Sequence, residues 1–343
     1  MSTPFLPLAA SSQAQAMAVH PMEWVALAIL VVGLVMMDLF GHARKPHEPT
    51  MKESIIWLVF YVALAVAFGV YVIFKHSSEF SVEFFSAYFT EYSLSIDNIF
   101  IFIIIIASFM VPRAFQQKVL LYGIVIALVL RLIFILLGTT LLEHFSWVFF
   151  IFGAFLLWTA VSQIRSGMHQ DDAEDHEEYK PNALVRLSKR LFNVTEGFVG
   201  DKLVVRRKST TYITPMLLCI ISIGSADLMF ALDSIPASFG LTTQPLIIFA
   251  ANAFALLGLR QLFFLVDGLL EKLVFLNFGL GIILGFIGLK LLVEASHGQG
   301  WLLGLPEVPP LASLGIILAV LVITFVSSMW YAKKHPTSAA HDE

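Results

Sequence analysis

Two acidic motifs stand out because each lies inside an apolar run that is long enough to cross a bilayer. The first reads Glu91-Tyr-Ser-Leu-Ser-Ile-Asp97-Asn98, and the second reads Asp227-Leu-Met-Phe-Ala-Leu-Asp233-Ser234. A charged side chain at the centre of a membrane helix costs at least about 2.5–3.5 kcal/mol, and such residues usually have a function. The same polar pattern in two apolar runs therefore predicts a binding site.

The side chains of both motifs offer oxygen atoms as ligands. Carboxylate and carbonyl oxygens suit Mg²⁺, Ca²⁺ and Mn²⁺, whereas imidazole and thiolate suit zinc or copper. No histidine lies deep in an apolar run, and Cys219, the only cysteine, precedes Asp227 by about two helical turns. The pattern favours a hard divalent cation, with these candidate ligands: Glu91, Asp97, Asn98, Asp227, Asp233 and Ser234.

Two arginines inside apolar runs, Arg131 and Arg260, are candidate charge partners of the motif acids. Four ionised acids and two arginines carry a net charge of −2, which one divalent cation would neutralise. Clustered buried acids tend to hold protons when no cation is present, so exchange of metal for protons is a natural mechanism. The alternatives are structural: the acids would form interhelical hydrogen bonds or would pair only with the arginines.

The spacing within each motif constrains how an ion is held. Six residues along an α-helix rise by about 9 Å and leave the two side chains about 120° apart. Two acids of one motif therefore cannot hold one small ion from a continuous helix. Either the helix is interrupted between them, or the acids serve successive positions along a path. Ser93 and Ser95 in the first motif, and Gly224, Ser225 and Pro236 around the second, favour interrupted helices.

The composition places these motifs in a polytopic membrane protein. Of 343 residues, 58% are hydrophobic and 13% are charged, against about 25% charged in soluble domains. Nothing indicates nucleic-acid binding, a cofactor motif or an enzyme. The predicted fold is all-α, with nine runs long enough to span a bilayer: 22–40, 54–74, 80–111, 119–138, 145–164, 212–236, 245–266, 273–293 and 310–331.

Lysine and arginine residues predict the orientation, because they favour the cytoplasmic side. They cluster in the connections after the first, third, fifth and seventh runs and in the C-terminal tail, whereas the other connections hold only Lys75 and Lys290. We therefore predict an external N-terminal tail (1–21) and a cytoplasmic tail (332–343) in a plasma (inner) membrane protein. The first 20 residues lack the basic region of a cleavable signal. Asp38 and Asp267, near cytoplasmic helix ends, are expected to be solvated.

Two similar halves lie within the predicted transmembrane domain, 22–331. Val129-Leu-Arg131 and Leu141-Leu-Glu143 follow the first motif, and Gly258-Leu-Arg260 and Leu269-Leu-Glu271 follow the second. Repeat one (about 80–164) and repeat two (about 212–293) would enter the membrane in opposite senses. This is the inverted-repeat plan of secondary transporters. The cytoplasmic segment between them, 165–211, is acidic at 169–178 and basic later, as expected of a solvated linker or a metal-sensing loop.

At these motifs the chain resembles the TerC family of integral membrane proteins, and within it the nine-span Alx branch. The resemblance covers about 22–331 and is carried by Ser95-Ile-Asp97-Asn98, by the run from Asp227 to Ala237, and by Gly258-Leu-Arg260. It implies metal-ion homeostasis, chiefly manganese export from the cytoplasm, and also labels of tellurium resistance and membrane-bound redox modulation. We therefore predict a divalent-cation transporter, with Mn²⁺ as the first candidate and Ca²⁺ as another. The alternatives are a redox or tellurium-resistance protein, or a metal-sensing membrane scaffold.

Overall fold

The computed structural model describes residues 17–41, 49–145, 147–168, 193–195, 197–207, 210–266, 274–298 and 308–334. Within these ranges, nine helices are long and apolar enough to cross a membrane. This confirms the predicted all-α membrane class. The helices are α1 Pro21–Gly41, α2 Met51–Lys75, α3 Ser78–Ser108, α4 Arg113–His144, α5 Val148–Met168, α6 Pro215–Phe239, α7 Pro245–Val266, α8 Leu276–Gly298 and α9 Pro310–Lys334.

Proline and hydroxyl residues mark the starts of many of these helices. Four helices, α1, α6, α7 and α9, begin at a proline. Proline suits the first helical position because its φ is fixed near the helical value and because an N–H at this position would have no intrahelical partner. The hydroxyls of Thr50 and Ser77 accept hydrogen bonds from the amides of Glu53 and Phe80, capping α2 and α3. These residues thus fix where the helices begin.

The two motif helices are continuous, so the expectation of interrupted helices is wrong. α3 runs unbroken through Glu91 and Asp97, and α6 runs unbroken through Asp227 and Asp233. The serines do not compete with the helical backbone. Within the described residues the hydroxyls of Ser93 and Ser95 have no hydrogen-bond partner, and the hydroxyl of Ser225 donates to the carbonyl of Ser222 in the preceding turn. Pro236 lies in the last turn of α6, where it does not divide the helix.

The packing joins helices of the first predicted repeat to helices of the second. α3 packs on α7 and α6 packs on α4, while α5 packs on α8. If α3–α5 correspond to α6–α8, the first two contacts are equivalent. At the α4–α6 contact, a Cβ on Gly123 would meet Ile223, and a Cβ on Gly224 would meet Ile126. These pairings are the ones that a two-fold relation between the repeats requires, and the inverted sense of the repeats stays a prediction.

α5 and α8 approach each other closely through small residues. A Cβ on Gly153 would lie 3.0 Å from the carbonyl oxygen of Gly288, and a Cβ on Gly288 would lie 3.1 Å from that of Gly153. Apolar burial does not drive association between helices in lipid, so close backbone packing at small residues is the usual device. This contact ties the ends of the two predicted repeats together.

A small sheet lies between the two predicted repeats, and the sequence analysis did not predict it. Its strands are β1 Asn193–Val194, β2 Val204–Arg207 and β3 Thr210–Ile213, in the order β1-β3-β2. β3 pairs parallel with β1 and antiparallel with β2. The ammonium group of Lys118, in α4, lies 2.7 Å from a carboxylate oxygen of Asp201. The acidic segment 169–178, Asp267 and Glu271 lie outside the described residues.

Candidate metal centre

Arg131 lies at the centre of a buried polar cluster in the middle of the helix bundle. Its side chain, on α4, is only 1% exposed, and its guanidinium donates to residues of α3, α6 and α7. A buried cation in an apolar bundle is tolerated only when it is paired and hydrogen-bonded. The acceptors around Arg131 therefore define this cluster.

Two motif acids, one from each predicted repeat, meet at this guanidinium. Glu91 Oε2 lies 2.6 Å from Arg131 Nη1. Asp227 accepts from Nη2 through Oδ1 at 3.2 Å and from Nε through Oδ2 at 3.3 Å. The paired contacts to Asp227 use the planar fork that guanidinium presents to carboxylates. Glu91 and Asp227, each near the middle of its helix, are thus neutralised in part by one shared cation.

Neutral side chains complete the cluster. Arg131 Nη1 also donates to Asn252 Oδ1 at 2.6 Å and to Ser234 Oγ at 3.2 Å. Ser238 donates from its hydroxyl to the second oxygen of Glu91 at 3.0 Å. Asn252 is itself fixed by donating to the carbonyl of Ile248 one turn earlier. Glu91 is therefore held on both sides, by Arg131 and by the hydroxyl of Ser238 on α6.

Sequence reasoning did not identify Asn252 or Ser238. Asn252 is a carboxamide in a run of α7 that is otherwise apolar from Pro245 to Leu259, and its side chain is fully buried. An unexplained amide in such a run is the same kind of signal as the motif acids. Ser238 lies four residues after Ser234, on the same face of α6, so helical periodicity would have pointed to it.

The remaining motif residues lie at other positions around α3 and α6. Asp233 is half-buried and accepts a hydrogen bond from Thr159 Oγ1 of α5 at 3.3 Å. Asn98 is buried on α3, 3% exposed. Asp97 also lies on α3, but its side chain is outside the described part of the chain. The continuous helices separate the two acids of each motif, as their spacing requires.

Arg260 belongs to a second cluster, and two expectations are corrected here. Among the described side chains, Arg260 Nη2 donates to Asp38 Oδ1 of α1 at 2.7 Å and not to a motif acid. Asp38 is not solvated but 1% exposed, because α2 and α7 cover it, and Tyr61 donates to its other oxygen at 2.7 Å. Arg260 Nη1 is buried and has no hydrogen-bond partner in the part of the chain that the structure describes. α1 thus supplies the acid that pairs with Arg260, and α2 supplies the phenol that holds this acid.

The described residues contain no group of three or more His, Cys, Asp or Glu side chains placed to hold a metal ion. Two acids converge, and the guanidinium of Arg131 lies between them. The donor set at this point is made only of oxygen atoms, from Glu91, Asp227, Ser234 and Asn252. Carboxylate oxygens such as those of Glu91 and Asp227 are the ligands that hard cations prefer.

A family model described as "Integral membrane protein TerC family" matches residues 76–336, and the chain belongs to this family. It is 42% identical over 324 residues to the uncharacterized membrane protein Rv2723 of Mycobacterium tuberculosis, covering 92% of this chain and 81% of that protein. It is 34% identical over 324 residues to the Escherichia coli protein named "Putative membrane-bound redox modulator Alx", covering 92% and 96%. The chain is therefore a TerC family member with an Alx-like sequence.

An uncharacterized membrane protein of Myxococcus xanthus is 35% identical over 320 residues, which cover 93% of this chain and 96% of that protein. The similarity to these relatives covers more than nine tenths of the chain. No solved structure matches the chain.

Proposed function

We propose that this protein transports a divalent cation across the plasma membrane, and that the cation is Mn²⁺ moving out of the cytoplasm. One observation carries the proposal. An acid from each predicted repeat, Glu91 of α3 and Asp227 of α6, reaches the same buried point in the middle of the bundle. In transporters built from repeats, substrate sites lie near the midplane at the repeat interface.

The chemistry of the point suits the proposed substrate. Glu91, Asp227 and Arg131 carry a net charge of −1 when ionised, and the surrounding groups are hydroxyl and amide oxygens. Such a set attracts a hard cation and offers no soft ligand, since Cys219 is the only cysteine of the chain. Protons that neutralise the acids between transport cycles would make the protein a cation–proton exchanger and not an enzyme.

Asp97 and Asp233 provide the other two steps of the proposed path. On a continuous helix each lies about 9 Å along the axis from its motif partner and about 120° around it. Because α3 and α6 would cross the membrane in opposite directions, Asp97 and Asp233 would lie on opposite sides of the point where Glu91 and Asp227 meet. An ion held by Glu91 and Asp227 would therefore pass one of these acids on entry and the other on release, and would not be held by all four acids together. Asn98 and Ser234 adjoin these acids as neutral ligands. We place the N-terminus outside and the C-terminus in the cytoplasm.

Reconstitution tests the proposal directly. Purified protein in liposomes with an imposed pH gradient should carry Mn²⁺, and Glu91→Gln should abolish the flux. Asp38→Asn is the matched control, because it neutralises an equally buried acid that pairs with the other arginine. Flux that survives in Glu91→Gln, or that falls equally in the control, would remove the Arg131 cluster from the transport path. A panel with Ca²⁺, Mg²⁺ and Zn²⁺ measures selectivity.

A redox function is the second candidate, because the name of the Escherichia coli relative describes a redox modulator. Thiol chemistry in this chain would depend on Cys219, which is fully buried in α6. A buried thiol in apolar surroundings is a poor nucleophile. If the redox candidate is correct, Cys219→Ser should abolish the cellular phenotype, whereas the transporter proposal expects Cys219→Ser to behave as wild type.

A further inference from the structure

Arg131 has more acceptors than one of its nitrogens can serve. Nη1 carries two hydrogens, but three acceptor oxygens surround it: Glu91 Oε2 at 2.6 Å, Asn252 Oδ1 at 2.6 Å and Ser234 Oγ at 3.2 Å. Two of the three acceptors are neutral. If Glu91 leaves, Nη1 keeps a partner for each hydrogen.

The guanidinium also occupies the place where a cation would bind. It lies between Glu91 and Asp227 and touches an oxygen of the first and both oxygens of the second. A metal ion bound to these same oxygens would repel the arginine, because both are positive and the site is buried. Arg131 and the ion therefore cannot hold the two acids at the same time.

We propose that Arg131 is a tethered competitor of the transported cation. This inference rests on the proposed function. When the ion binds Glu91 and Asp227, the guanidinium withdraws toward Asn252 and Ser234, where Nη1 keeps a hydrogen bond to each. When the guanidinium returns to the acids, it displaces the ion. Asn252 is in this sense a positioning residue, because it holds Arg131 and not the substrate.

A competitor of this kind weakens binding and assists release. If the acids are free of the guanidinium for only about a tenth of the time, the apparent dissociation constant rises about ten-fold. A transporter gains from this weakening, because an ion held too tightly in a buried site is not released. Removing the competitor should therefore tighten binding and slow transport.

The experiment compares Mn²⁺ binding and Mn²⁺ flux in the same set of full-length variants. Binding is measured on purified protein in detergent by the loss of the free Mn²⁺ signal in electron paramagnetic resonance. Arg131→Gln should bind Mn²⁺ about ten-fold more tightly than wild type and should transport it more slowly. Arg260→Gln is the matched control, since it removes an equally buried arginine from the Asp38 pair, and its Mn²⁺ binding should not tighten.

A structural role for Arg131 would not increase affinity. Equal or weaker Mn²⁺ binding by folded Arg131→Gln would overturn the inference while leaving the transport proposal in place. If neither wild type nor Arg131→Gln binds or moves Mn²⁺, the transport proposal itself fails, and the inference fails with it.

Arg131→Lys covers the case in which the glutamine variant does not fold. It keeps the charge but offers a single nitrogen, which cannot bridge both acids and Asn252. Its Mn²⁺ binding should be tighter than in wild type by a smaller factor than in Arg131→Gln. Unchanged or weaker binding in the lysine variant would contradict the competitor model.

Discussion

Two arginines are buried to the same degree in this bundle but are held in different ways. Arg131 and Arg260 are 1% and 2% exposed. Arg131 joins acids of α3 and α6 and an amide of α7, so its contacts connect both predicted repeats. Arg260 donates a hydrogen bond to Asp38 of α1, and Tyr61 of α2 donates another to the same carboxylate. Any motion of one repeat against the other must rearrange the first cluster.

The second cluster fastens α1 and α2 to the second repeat. α2 packs extensively on α7, the helix that carries Arg260, so this ion pair joins elements that can move together. Burial alone thus does not identify the functional charge. What distinguishes the two clusters is which helices they connect. A cluster between the two repeats has to rearrange when the repeats move, whereas an ion pair between elements that move together can stay intact.

The largest expected difference between the two clusters is in Mn²⁺ flux after an acid is neutralised. Glu91→Gln and Asp227→Asn should each lower Mn²⁺ flux by roughly 100-fold or more, since even outer-shell partners of metal ligands are worth 10–100-fold. Asp38→Asn should keep most of the flux for each folded molecule. The measurement is flux in liposomes normalised to reconstituted protein. Comparable losses in all three variants would break the distinction between the clusters.

The next largest effect is a loss of stability when the Asp38–Arg260 ion pair is broken. Asp38→Asn leaves Arg260 charged and without its carboxylate, and breaking a buried pair costs about 3–5 kcal/mol. Replacing both residues by leucine should restore much of the loss, because the buried charge is then absent. Thermal midpoints of the purified proteins in detergent measure both variants. If the double leucine variant is no more stable than Asp38→Asn, the loss of stability in Asp38→Asn does not come from the unpaired charge of Arg260.

The spans and the acidic motifs could be predicted from the sequence because they depend on local patterns. Apolar length identifies a membrane helix, and an acid inside such a run is conspicuous. The continuity of α3 and α6 could not be read in this way. Ser93 and Ser95 are compatible with either a helix or a break, and only the packing of neighbouring helices decides between them.

The partner of each arginine depends on tertiary contacts that no spacing shows. Asp38 is far from Arg260 along the chain, and its position near the end of an apolar run suggested a solvated residue. The structure instead covers it with α2 and α7. Asn252 reaches Arg131 across the bundle for the same reason. The sequence thus predicts which residues are unusual but not which of them meet.

A smaller effect tests the hydrogen bond from Tyr61 to Asp38. Tyr61→Phe removes a donor at 2.7 Å from a carboxylate oxygen, and hydrogen bonds to charged groups are worth about 1.5–3 kcal/mol. We expect a modest fall in the thermal midpoint and unchanged Mn²⁺ flux. A fall as large as that of Asp38→Asn would mean that the phenol, and not the ion pair, holds α1 and α2 in place.

The smallest effect concerns a partly exposed pair that contrasts with both buried clusters. Lys118 lies 2.7 Å from Asp201, whose side chain is 47% exposed, and the hydrogen bond and charge of Lys118 lower the pKa of the Asp201 carboxyl. A lowered folded-state pKa means that the stabilisation is complete above the unfolded value of about 3.9 and is lost as the pH falls through the folded value.

Solvent screens this pair, so Asp201→Asn should cost less than about 1 kcal/mol at pH 7. The difference in thermal midpoint between wild type and Asp201→Asn should disappear in acid, where the wild-type carboxyl is protonated and resembles the amide. A difference that persists in acid would assign Asp201 a role beyond its charge. A loss at pH 7 as large as that of Asp38→Asn would mean that the connection between α4 and the sheet is as strong as a buried ion pair. The contrast between exposed and buried charges in this protein would then fail.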